Sequence, residues 1–287
     1  MKISSEIFYF ALAVLVYGTI LIAVLVNDIK GIDMNNTLQN GMNVLEFLSG
    51  STEAHSVKEL SDRMKLPKSH ICRLLKTLKD IGYVEQNDER KYFISLKILC
   101  LSNGCLRRMG VRTRIRPFLY KLANELNREI YLQVPHNCQA MVVDVVSPEG
   151  VKRDFGLDIG SINPINYTAS GKVCAAYSSS KDLEAHVKEY GLKKMTDKTI
   201  TDFKKFKMEL DKIRKEKVAV MDSERTPGIA AIASPVFDCN GALAAVIGTI
   251  LPAGEHTEGD WSKFKKNIYD AAESASFALG YAPYKMR

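Results

Sequence analysis

The sequence predicts an α+β chain of two unequal parts: an N-terminal winged helix-turn-helix, then a larger domain of antiparallel strands with helices on one side. Two observations carry this. Between Asn40 and Leu96, three helical segments are followed by a strand pair within about sixty residues. Beyond Asn127 the pattern shifts to strand-like runs, "EIYLQV", "QAMVVDVV", "IAAIASPVFD" and "ALAAVIGTIL", separated by helical stretches, the signature of an α+β domain.

The first thirty-three residues stand apart. Ile7–Val26, "IFYFALAVLVYGTILIAVLV", carries no charge and has the roughly 20 apolar residues a bilayer crossing needs. Three readings compete: a membrane anchor, an upstream extension with translation starting at Met34, or a buried helix. The last is disfavoured because the segment has no polar face.

From Asn40 to Leu48, Met42, Leu45 and Leu48 recur at helical spacing until "SGSTEAHS" breaks the pattern. Ser56 and Glu59 form an S-x-x-E capping box that opens a helix through Met64. "KLP" is the turn, with Pro67 suited to the first turn of the next helix. There Ile71, Leu74, Leu75 and Leu78 make one core stripe, leaving Ser69, Arg73 and Lys76 on the opposite side. Gly82 ends the helix. "YVEQNDERKYFISL" reads as two strands around an Asn87-Asp88 turn, the second with Tyr92, Ile94 and Leu96 alternating against Phe93 and Ser95.

Residues 98–115 read as a connecting helix and 116–287 as the second domain, after a winged helix-turn-helix over 34–97. In that second domain helices are expected at Gly171–Ser178, Lys181–Glu189, Asp202–Glu216 and Trp261–Leu279. Asn240-Gly241 signals a hairpin.

A net charge of +7 fits a phosphate-bearing partner without requiring one. The six cysteines are scattered, with no C-x-x-C pair, so neither a metal site nor a cofactor is expected. Such thiols fit a reducing cytoplasm. "TASGK" lacks the phosphate-cradling spacing G-x-x-x-x-G-K-[ST], and the five histidines are isolated in sequence, so no catalytic arrangement is predicted. The chemistry sits on the basic helix. In a major groove, Arg73 reads guanine, Ser69 and His70 reach a base or a phosphate, and Lys68 and Lys76 meet phosphates. Arg90 and Lys91, at the wing tip, touch the adjacent backbone. The bland alternative is a solvated basic face, and the rival from another class is a stand-alone small-molecule sensor whose basic helix mediates protein contacts, not DNA.

The segment "GMNVLEFLSG…SVKELSDRMKLPKSHICRLLKTLKDIGYVEQNDERKYFISLKIL" resembles the DNA-binding half of the IclR family of transcriptional regulators. "NYTASGKVCAAYSS" and "DSERTPGIAAIASPVFDCNGALAAVIGTILP" are similar to two motifs of that family's second half. The resemblance spans about Asn40 to Leu279. It implies a GAF/PAS-like domain that binds a small effector, often an organic acid, and homodimers or homotetramers on palindromic double-stranded operators. By position, the resemblance places the effector near Ser170, Gly171, Asp222, Ile229, Ala231 and Thr249. Ala231 stands where members that take small oxo-acids often carry Cys or Ser, and Met221 where an acid is common, although Glu224 is retained. These departures point to a different or more apolar effector.

Overall fold

The computed structural model describes residues 35–108, 110–148, 157–254 and 258–282. The expectations for Ile7–Val26 lie outside them, and no described helix is long and apolar enough to cross a membrane. The described residues divide into two compact units, one ending at Gly104 and the other beginning at Cys105.

The first unit holds α1 (Asn36–Ser49), α2 (Val57–Met64), α3 (Lys68–Asp80), β1 (Val84–Gln86), β2 (Tyr92–Ile94) and the start of α4 (Ile98–Arg108). α1 begins earlier than its apolar spacing suggests because Asn35 caps it, accepting from the Leu38 N–H. Val44, Leu45 and Leu48 are its buried large residues, while Met42 is exposed. The capping box at α2 is fully formed: the Ser56 hydroxyl accepts from the Glu59 N–H, and the Glu59 carboxylate accepts from the Ser56 N–H at 2.7 Å. Those hydrogen bonds, backbone first, hold the Glu59 carboxyl below its ordinary range. Ile71, Leu74, Leu75 and Leu78 of α3 are all buried against Val44, Leu48 and Leu60. At about 1.5–3 kcal/mol per buried Leu or Ile, this stripe is the main reason α3 holds its rotation.

The wing departs from its reading in two ways. β1 and β2 pair antiparallel with Gln86 opposite Tyr92, so the tip is a five-residue loop, 87–91, rather than a two-residue Asn87-Asp88 turn. Arg90 takes a positive φ of 61° there. The expected alternation also stops at Ile94: Leu96 is 79% exposed while Ser95 is buried. A turn after Ile94 reverses the faces as the chain enters α4.

The second unit comprises α5 (Gly110–Leu126), β3 (Ile130–His136), β4 (Gln139–Val146), β5 (Ile162–Asn163), α6 (Ala169–Tyr177), α7 (Ser180–Tyr190), α8 (Phe203–Glu216), β6 (Ala219–Asp222), β7 (Ile229–Phe237), β8 (Leu243–Pro252) and α9 (Glu258–Ala278). Its strands form one six-stranded antiparallel sheet in the order β5-β4-β3-β8-β7-β6. Helices cover both faces, not one. Residues such as Ile130, Leu132, Ile232 and Ile247 pack on α5 and α9. Their alternate neighbours Ala233 and Val246 face α6 and α8. Strand alternation with small or apolar residues on both sides requires this double cover. Near the Asn240-Gly241 pair, Asp238 accepts from the Gly241 N–H and Gly241 takes a φ of 78°. This is a type I turn closed by a left-handed glycine, a longer hairpin connection than the two-residue turn. Asp144 is buried beside Arg112 (3.0 Å) and Arg116 (3.4 Å), which ties α5 to β4.

Candidate nucleic-acid interface and effector cavity

α3 is buried along one stripe, and its opposite side is free. Lys68, Ser69, Arg73 and Lys76 are exposed. Among the described residues, Lys68, Ser69 and Lys76 have no side-chain hydrogen bond or ion pair. His70 is different: half-buried, it lies 3.2 Å from the Asn40 amide through Nε2 and 3.3 Å from the Arg73 guanidinium through Nδ1. Asn40 of α1 and His70 therefore aim Arg73, one turn along the same helix. At the wing, Lys91 pairs with Glu89 at 2.9 Å, and that hydrogen bond pushes the Lys91 ammonium up from its ordinary value. Arg90 remains exposed at the tip. A helix whose buried stripe fixes its rotation, with cations on the far side and a wing that holds Arg90 exposed at its tip, is the arrangement that lays a recognition helix in a major groove and a loop along the phosphates.

In the second unit a cavity of about 240 Å³ lies between the sheet and the first turn of α6. Strand alternation brings Tyr131, Gln133, Ala231, Ala233, Gly248 and Ile250 into its wall. Thr168 caps α6 by accepting from the Gly171 N–H at 3.0 Å. The next N–H groups back, Ala169 and Ser170, are first-turn donors with no carbonyl inside the helix to meet. Ser170, Ile229, Ala231 and Thr249 all border this cavity. The Thr249 hydroxyl, however, is spent on the Glu129 carbonyl at 2.8 Å.

Asp222 and Gly171 do not line the cavity. Asp222 ends β6 and pairs with Lys198 at 2.8 Å; that hydrogen bond holds its carboxyl below the ordinary value. A Cβ on Gly171 would lie 2.0 Å from the Pro164 carbonyl oxygen, so this glycine is where α6 meets the preceding loop. Gly228, with a φ of 77°, serves the β6–β7 turn.

Sequence reasoning missed Gln133, Asn163 and Arg225. The Asn163 amide donates to Gln133 Oε1 at 2.6 Å, and Arg225 reaches Asn163 Oδ1 at 3.5 Å. The signal for Gln133 was present: it shares a face with Tyr131 in an otherwise apolar strand. β5 is two residues long and leaves no pattern to read. Behind the cavity, the fully buried Lys172 meets Glu224 Oε1 at 2.5 Å. Burial pushes the Glu224 carboxyl up, against the lowering pull of Lys172.

Two family profiles match the chain. The one described as IclR helix-turn-helix domain covers residues 37–88. The one described as bacterial transcriptional regulator IclR C-terminal covers 103–277. Among curated proteins, the chain is 26% identical over 242 residues to the HTH-type transcriptional regulator KdgR of Escherichia coli, covering 84% of this chain and 91% of that one. It is 25% identical over 247 residues to the HTH-type transcriptional repressor AllR of Salmonella typhi, covering 86% and 90%. Among solved structures, the IclR of Thermotoga maritima superposes with a TM-score of 0.67 at 27% identity, covering 86% of this chain and 99% of that one.

Proposed function

The chain belongs to the IclR family of bacterial transcriptional regulators, and from that premise we propose that it is a homo-oligomeric, ligand-responsive regulator whose effector is a small organic acid. It is a DNA-binding regulator with a C-terminal effector-binding domain, and the relatives it matches are regulators rather than enzymes. The observation that carries the residue-level reading is the free basic side of α3, with Arg73 steered by His70 and Lys68 and Lys76 placed for phosphates. Arg90 and Lys91 extend the contact along the backbone. In the second unit the cavity beside Ser170, Ile229 and Ala231 takes the effector.

Coupling requires the effector to bind the DNA-competent and incompetent arrangements with different affinity. Two recognition helices in an oligomer must match the spacing of two half-sites, so a small change in their separation weakens binding. The test is selection of bound duplexes from a random pool by residues 34–287, followed by gel shifts with and without added organic acids. A selected duplex whose affinity changes with one acid supports the reading. No selected sequence, or affinity indifferent to every ligand class tried, overturns it.

A further inference from the structure

The walls of the second-unit cavity are unequal in hydrogen-bonding supply. Tyr131 spends its hydroxyl on Glu129 at 2.7 Å, and Thr249 spends its own on the Glu129 carbonyl. Gln133 Oε1 is occupied by Asn163. Besides the exposed Thr226 hydroxyl and the first-turn N–H groups of α6, three side chains keep donors to offer. The Ser170 side chain, in a residue only 5% exposed, has no hydrogen bond to any described residue. The Gln133 Nε2 amide, in a residue only 3% exposed, has no acceptor among the described residues. Arg225, at the rim, holds a single contact of 3.5 Å with Asn163.

No carboxylate lines the cavity among the described residues. Buried polar groups are ordinarily satisfied, so a surplus of donors beside one cation describes the complement of an anion. The opposite wall, Met221, Ile229, Ala231 and Ile250, is apolar. A volume of about 240 Å³ is roughly eight times the share of one liquid water, enough for an acid bearing a ring or a branched chain.

We propose that Arg225 and Gln133 are the specificity-determining pair of this cavity: with Ser170 they grip the carboxylate of a monocarboxylic acid whose body is apolar, Arg225 leaving Asn163 to close over it. This rests on the effector reading above. The loop that carries Arg225 is already positioned. Glu224 beside it is pinned to Lys172 of α6, two residues past Ser170. The Glu224 carbonyl accepts from Thr199 at 2.6 Å, and the Ser223 carbonyl accepts from Thr196 at 2.8 Å. Only the guanidinium has to move.

The experiment is calorimetric titration of the full chain with benzoate, phenylacetate and 4-methylpentanoate. Each acid is paired with its neutral amide, and inorganic phosphate and acetate serve as further probes. At least one of the three acids binds; its amide, phosphate and acetate do not. Arg225→Gln and Gln133→Leu each weaken that acid by roughly ten- to hundred-fold, the loss of a hydrogen bond to a charged group. Arg225→Lys restores only part, since it lacks the planar fork. Unchanged melting of the unliganded variants certifies the fold. The proposal is overturned if none of the three acids binds, if acid and amide bind alike, if phosphate or acetate binds as well as the acids, or if both substitutions leave the affinity intact. Should a neutral or cationic ligand shift operator affinity instead, the chain remains a ligand-responsive regulator, while the organic-acid effector and this assignment both fail. If no ligand of any class does so, the effector reading fails with it.

Discussion

Replacing Lys172 by Met removes one member of a buried ion pair and keeps most of the side-chain volume. Lys172 is 1% exposed and its ammonium sits 2.5 Å from Glu224 Oε1, while Oε2 has no partner among the described residues. Without Lys172, the carboxyl must either stay ionised in a water-poor site or take up a proton at neutral pH. Both are costly, and breaking such a pair from one side typically destabilises by about 3–5 kcal/mol. For a unit of this size each kcal/mol moves the midpoint by roughly 2–4 °C, so a drop on the order of 10 °C is expected. Trp261 is the only tryptophan in the chain and lies on α9, so selectively excited fluorescence reports the second unit during heating. Lys172→Met combined with Glu224→Gln leaves no orphaned charge and recovers at least half of the loss. A single-variant shift below about 2 °C, or a double variant no better than the single, would refute the reasoning.

Arg73→Ala is expected to cost about 1–3 kcal/mol of discrimination between operator and random duplex, measured by competition gel shift; an unchanged ratio removes its base-reading role. Ser56→Ala breaks the capping box and costs about 1 kcal/mol, read from denaturant unfolding of the first unit; a midpoint equal to wild type contradicts it. The raised Glu224 carboxyl gives a pH signature. Between the ordinary value of 4.5 and its higher folded value, the folded state keeps a proton that the unfolded state has released. Stability attributable to this group is therefore greatest below that window and declines as pH rises through it. Glu224→Gln flattens that part of the curve, and an identical pH profile in the variant rules the effect out.

Much of the first unit was legible because its signals are local. The Ser56–Glu59 box, the Ile71–Leu78 stripe and the stop at Gly82 each depend on neighbours within a turn or two, and each agrees with the packing. Leu96 failed because alternation cannot show where a two-stranded ribbon ends; the turn into α4 rotates it outward. His70 has its ring held between Asn40, thirty residues away in sequence, and Arg73, partners that no sequence window displays. The second cover of helices on the sheet was missed for a similar reason. Small residues such as Ala231 and Ala233 mark a strand face as buried without saying by what. The cavity was least legible. Its donors come from β3, β5, α6 and the β6–β7 turn, and only the fold brings Gln133, Asn163, Ser170 and Arg225 to one place.

DNA binding by this chain requires the free side of α3 to meet a duplex. Fluorescence anisotropy of the full chain with a labelled selected duplex, titrated across salt, tests this when wild type is compared with the combined Lys68→Ala, Arg73→Ala and Lys76→Ala variant. Affinity should fall sharply in the variant, and its salt slope should shrink by about two, one for each lysine taken from a phosphate. A variant that keeps wild-type affinity and slope would place the DNA contact elsewhere.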